Sequence, residues 1–136
     1  MKIYFAGSIR GGRGDQEIYS KIIDFLKNYG TVLTEHVGDP ALSAMGSQGM
    51  TEEEIYDRMV AWIKESDIIV AEVSTPSIGV GYEIALSESL HKKIVCLYRE
   101  GSEKRISAMV SGNKNLILKI YKTTEDLPGI LKEFFE

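Results

Sequence analysis

A carboxylate that could attack carbon stands at Glu83, at the end of Gly79-Val80-Gly81-Tyr82-Glu83 and just beyond the most apolar strand-like run of the chain. The glycines are expected to lead from a loop into a helix, with Glu83 in its first turn. There the positive end of the helix dipole would hold the carboxylate ionised. An ionised, fixed carboxylate at that place can attack an anomeric carbon, although first-turn glutamates also serve stability alone. Ser77 precedes this helix and is suited either to a phosphate oxygen or to a turn. A second group of chemical interest is Gly7-Ser8-Ile9-Arg10-Gly11-Gly12-Arg13. Glycine lets backbone approach a ligand closely, exposed amides attract anions, and arginines bond phosphate oxygens. The segment lacks the Gly-Lys-[Ser/Thr] ending of a triphosphate loop and the Gly-x-Gly-x-x-Gly spacing of a dinucleotide loop. A small phosphate ester fits it best, and a glycine-rich turn with solvated arginines is the plain alternative. His36, His91 and Cys96 do not have metal-ligand spacing, so neither a metal nor a cofactor is expected. His36 stands where it could face a pocket.

The elements that must position these groups alternate between strand and helix. Strands are predicted at 3–6, 31–34, 67–73, 93–98 and 116–120. Helices are predicted from Asp15 as cap to about 29, from Thr51 to about 65, from the glycines at 79–81 to about 91, and over 125–135. A further short helix is expected before the last strand. Thr51 with Glu54 forms a capping-box pattern, which with the dipole explains the acidic run Glu52-Glu53-Glu54. Trp62 and Tyr56 are expected on the buried face of that helix. Residues 37–50 have no clear period and read as a mobile loop. Parallel strands need crossovers, so the expected architecture is an α/β, doubly wound, Rossmann-like domain with a five-stranded parallel sheet flanked by helices. Ligands of such folds bind beyond the carboxyl ends of the strands, where the loops at 7–13, 35–36 and 74–81 gather.

The chain has 136 residues, of which 43% are hydrophobic and 26% charged, with a formal net charge of −4. That balance supports one packed domain over residues 1–136 and excludes a disordered tail or a disulfide-stapled miniprotein. An acidic chain without a basic run is a poor match for a nucleic-acid polymer. No apolar run reaches membrane-spanning length and no signal-peptide pattern opens the chain, so a cytoplasmic protein is expected. Cys96, the only cysteine, lies in the apolar run Ile94-Val95-Cys96-Leu97 and reads as a reduced, buried thiol.

Taken together, Tyr4-Phe5-Ala6-Gly7-Ser8-Ile9-Arg10-Gly11-Gly12-Arg13, Leu33-Thr34-Glu35-His36-Val37, Val70-Ala71-Glu72-Val73, Pro76-Ser77-Ile78-Gly79-Val80-Gly81-Tyr82-Glu83 and Ser107-Ala108-Met109 resemble the 2′-deoxynucleoside 5′-monophosphate N-glycosidases, relatives of the nucleoside 2-deoxyribosyltransferases. The resemblance covers almost the whole chain. It implies hydrolysis of the bond between a nucleobase and 2-deoxyribose 5-phosphate, with Glu83 as the nucleophile that forms a sugar ester and Tyr4 beside the reacting sugar. The substrate-binding set it implies is Gly7, Ser8, Ile9, Arg10, Gly11, Gly12, Arg13, His36, Ser77, Gly79, Ser107 and Met109, with Ser8, Arg10, Ser77 and Ser107 on the phosphate. Ser107 would reach the neighbouring subunit's site, which implies a homodimer. Where the family carries an aspartate three residues before its tryptophan, this chain has Met59. Alternatives are a ribonucleotide or modified-nucleotide N-glycosidase, a deoxyribosyltransferase, and a catalytically weak nucleotide-binding protein.

Overall fold

The computed structural model describes residues 1–9, 14–39 and 49–136. Five strands, β1 (Lys2–Ala6), β2 (Thr31–Val32), β3 (Ile68–Glu72), β4 (Lys93–Arg99) and β5 (Ile117–Tyr121), form one sheet in the order β2-β1-β3-β4-β5. All four pairings are parallel. The helices are α1 (Gln16–Leu26), α2 (Glu52–Glu65), α3 (Ile78–Ser89), α4 (Ala108–Ser111) and α5 (Leu127–Leu131). The expected five-stranded, doubly wound sheet is therefore what the chain forms.

The period of two along each strand sorts the core into two layers. Ile3, Phe5, Ile68, Val70, Val95 and Leu97 pack on one face with Tyr19, Ile22 and Leu26 of α1 and Leu127 and Leu131 of α5. Tyr4, Ala6, Ile69, Ala71, Ile94 and Cys96 pack on the other with Ile63 of α2 and Val80 and Ile84 of α3. The central strand β3 is buried at every residue, as its unbroken apolar run requires. Gly7 ends β1 against aromatic rings: a Cβ there would meet Tyr19 at 3.0 Å and Phe5 at 3.1 Å.

Several expected boundaries shift for local reasons. β2 stops at Val32 rather than at Thr34, because the Thr34 side chain takes over the pairing. Its Oγ1 accepts from Phe5 N at 2.8 Å and donates to Phe5 O at 2.6 Å. The chain then turns into a 3-10 helix, Glu35–Gly38, where a loop was expected, and Val37 and Gly38 are buried there. The rest of that expected loop, 40–48, lies outside the described residues. Asp15 precedes α1 without capping it, its carboxylate being engaged by Arg99 and Thr75. The capping box at Thr51 and Glu54 forms as its spacing predicts. The last helix is divided, with 3-10 turns before and after α5.

Candidate active site

The helix that carries Glu83 begins earlier than its glycines suggest. Ser77 is its N-cap and accepts from Val80 N at 3.3 Å, so Ile78, Gly79 and Val80 make the first turn. Glu83 accordingly lies in the second turn, and dipole stabilisation at the helix start no longer governs it. Spacing governs it instead. Val80, Glu83 and Ser87 fall three and four residues apart on one helix face, and Val80 and Ser87 are buried. Glu83 is thus turned toward the sheet and partly buried.

There it meets Tyr4 of β1, which is 0% exposed. The Tyr4 hydroxyl is buried without a fully formed hydrogen bond, and the Glu83 carboxylate is the ionisable group that faces it. Burial pushes the Glu83 carboxyl up to about 7, and the Tyr4 hydroxyl opposes that rise. Burial, reinforced by the Glu83 charge, pushes the Tyr4 phenol far above its ordinary range, so it acts as a proton-bearing donor and not as a base. The expectation that the helix dipole holds Glu83 ionised is therefore corrected: a carboxylate poised near neutrality replaces one held firmly charged.

Around this pair the first turn of α3 is bare. A Cβ on Gly79 would meet only Ser77 Oγ, at 3.9 Å, and one on Gly81 would meet nothing within 4 Å. The local packing does not demand these glycines, and they leave backbone open beside Glu83. Ser8 lies buried after β1, its amide donating to Tyr19 Oη at 3.1 Å, and Ile9 packs against the α1-side core. The strands thus bring Gly7, Ser8, Ser77 and Gly79 to the carboxyl edge of the sheet, while Tyr4, midway along β1, meets Glu83 in the layer between sheet and α3. Arg10, Gly11, Gly12 and Arg13 lie outside the described residues.

His36, carried by the 3-10 turn, packs on Trp62 with ring centroids 5.9 Å apart, and Arg58 stacks over the same indole at 4.8 Å. Trp62 is partly buried as expected. Tyr56 is not: it is 52% exposed and meets Tyr82 of α3 edge-on at 6.4 Å. Composition alone did not single out Arg58 or Tyr82, because helical charges and aromatics are ordinary without knowledge of the facing helix. Met59 packs against the apolar layer that contains Tyr4, Val80 and Ile84. Ser107 caps α4 by accepting from Met109 N at 3.2 Å, and both residues are exposed. Among the described residues no hydrogen bond joins either one to Tyr4 or Glu83.

The model of the family described as nucleoside 2-deoxyribosyltransferase matches residues 3–121. The chain belongs to this family. Within it, the chain is 49% identical over 140 residues to a putative 2′-deoxynucleoside 5′-phosphate N-hydrolase 1 of Nematostella vectensis, covering 98% of this chain and 93% of that one. It is 47% identical over 141 residues to the 5-hydroxymethyl-dUMP N-hydrolase of Esox lucius, covering 100% and 97%. With the human 5-hydroxymethyl-dUMP N-hydrolase it shares 43% over 111 residues, covering 81% and 64%. The fold is also that of a Clostridium botulinum CMP N-glycosidase, BcmB, at a TM-score of 0.69 and 21% identity, covering 98% of this chain and 99% of that one. Members of the family thus include enzymes named for cutting N-glycosyl bonds of nucleotides. No described helix is long and apolar enough to cross a membrane.

Proposed function

We propose that this member of the nucleoside 2-deoxyribosyltransferase family hydrolyses the N-glycosidic bond of 2′-deoxynucleoside 5′-monophosphates, releasing the nucleobase and 2-deoxyribose 5-phosphate. The observation that carries this reading is the Glu83–Tyr4 pair beside the bare first turn of α3, in a chain whose relatives are named as N-hydrolases of such nucleotides. Glu83, in its ionised form, attacks C1′ of the sugar as the bond from C1′ to the base nitrogen breaks, and the bonding electrons leave with the base. Water then adds its oxygen to C1′ and restores the carboxylate, and the proton it gives up balances the one the departed base takes up. Tyr4 donates toward the Glu83 carboxylate and holds its orientation. Ser8 and Ser77, with the arginines Arg10 and Arg13 of the first loop, receive the 5′-phosphate. Such remote contacts fix the sugar over the nucleophile and select monophosphates over nucleosides. Gly7, Ile9, Gly11, Gly12 and Gly79 belong to the same proposed binding set, and His36 flanks the base.

A homodimer completes this reading. Ser107 and Met109 are exposed and untied to Glu83, which suits residues that serve a neighbouring subunit. Ile78, Tyr82 and Tyr56 expose further apolar surface along α2 and α3. A cytoplasmic location agrees with a nucleotide substrate and with the reduced, buried Cys96.

Met59 motivates a second reading, a nucleotide-binding protein with weak catalysis. Its thioether supplies no proton, and loss of a positioned acid or base commonly lowers rate about 10²–10⁴-fold. One experiment separates the two. The protein is incubated with each deoxynucleoside 5′-monophosphate, 5-hydroxymethyl-dUMP and the ribonucleotide counterparts, and free base is measured by chromatography. Release from deoxy forms, abolished in a folded Glu83→Ala variant, is the expected result; full activity in that variant would sink the mechanism. Release from ribonucleotides moves the substrate class, and exchange onto an added base identifies a transferase. Binding without release over a day favours the second reading.

A further inference from the structure

The reaction above uses the carboxylate of Glu83, yet a second carboxylate is buried more completely. Glu72 ends β3 and is 0% exposed. By its place in the strand it shares the sheet face of Ile68 and Val70, the face covered by α1, and so lies opposite the layer of Tyr4. Its Oε1 accepts from Ser74 N at 2.6 Å. Its Oε2 accepts from Ser74 Oγ at 3.1 Å and from the Tyr121 hydroxyl at the end of β5. Ser74 Oγ also accepts from Arg99 N at 2.8 Å. The Arg99 guanidinium reaches Asp15 at 3.1 Å, and the other Asp15 oxygen accepts from Thr75 Oγ1 at 3.0 Å.

These bonds join the ends of β3, β4 and β5 and the start of α1 to one turn, residues 74–76, which leads through Pro76 directly to Ser77. Stability alone is a weak reason for such an arrangement, since well-packed apolar side chains commonly serve a core as well or better. Direction is the stronger reason. An apolar core fills space, whereas a carboxylate with three donors fixes where each donor lies. We propose that Glu72 is a positioning residue for the phosphate side of the site. It clamps the Ser74 turn to Tyr121 and Arg99, and thereby sets Ser77 and the start of α1 at the distance a 5′-phosphate requires. The assignment rests on the nucleotide reading above but not on catalysis by Glu83, which lies on the other face.

The test compares Ser74→Ala and Tyr121→Phe, each lacking one hydroxyl, with Glu72→Gln and Glu72→Leu. The probe is 2-deoxyribose 5-phosphate, its Kd measured by calorimetry on proteins whose folding is checked by thermal melting. In parallel, KM and kcat are measured on the monophosphate that releases base. Kd and KM should rise by about tenfold to a hundredfold in Ser74→Ala, with kcat changed by less than roughly threefold. Glu72→Gln, which keeps an acceptor for Ser74 N, should retain more affinity than Glu72→Leu. Should Glu72→Leu fail to fold, Ser74→Ala and Tyr121→Phe carry the test. Folded variants with unchanged Kd, or with kcat lost at unchanged KM, overturn the clamp. A native protein that binds the probe but releases no base from any monophosphate overturns the hydrolase reading alone, one that releases base without binding the probe overturns the clamp alone, and one that does neither overturns both.

Discussion

At the scale of residues, Glu83 embodies a conflict between function and stability. Its carboxyl is pushed from an ordinary 4.5 up to about 7 because burial disfavours the charge. The folded state then holds the proton more tightly than the unfolded chain does. Glu83 contributes no penalty below about 4.5 and an increasing one as pH rises to about 7, on the order of 3 kcal/mol at the top of that window. Glu83→Gln should therefore raise Tm at pH 8 and change it little at pH 5; equal shifts at both would contradict a buried, titrating carboxylate. The same group should govern activity. kcat/KM is expected to climb with pH and level off above about 7, as Glu83 ionises. In Tyr4→Phe the hydroxyl that favours the charged form is lost, so this limb should move to higher pH. A pH–rate profile of the two proteins decides it. Cys96, pushed up to about 12 by burial, is no rival nucleophile.

At the scale of elements, the short strand β2 shows a side chain finishing what backbone began. Thr34 Oγ1 pairs with both the amide and the carbonyl of Phe5, so the chain can leave the sheet after Val32 and carry His36 to Trp62. Thr34→Val preserves shape but strands two buried backbone groups. A loss of about 1–3 kcal/mol is expected, seen as a Tm lowered by about 4 °C for each kcal/mol. No change in melting would mean that other contacts hold this corner. The same interplay of cap and backbone moves the start of α3. Its N-cap is a serine and its glycines lie inside the helix, so Glu83 is placed by helical periodicity and not by the dipole.

At the scale of the whole molecule, the proposed homodimer makes each site depend on two chains. A closed two-fold pair presents the same patch from both partners, so exposed Ser107 would serve a neighbour's site while receiving its equivalent in return. Sedimentation should report a dimer. Mixing Glu83→Ala with Ser107→Ala, after exchange of subunits, should restore part of the activity that both lack, because one site in each mixed dimer has neither lesion. A monomeric active protein would place Ser107 outside the site.

The sequence by itself determined the alternation of strands and helices, the burial of β3 and the loops on which the site would stand. Those features follow from apolar periodicity and turn residues, which are local properties. Its motifs also carried the family resemblance, which sets Glu83 and Tyr4 at the same sugar without showing how either side chain is buried or how the two interact. Tertiary structure decided the rest: that Tyr4 of β1 faces Glu83 of α3, that Tyr56 is exposed, and that Asp15 binds Arg99 instead of capping its helix. It alone joins Glu72, Ser74, Tyr121 and Arg99 in one cluster. These facts join residues tens of positions apart, and a carboxyl's charge depends on the water and donors left around it once those residues have met.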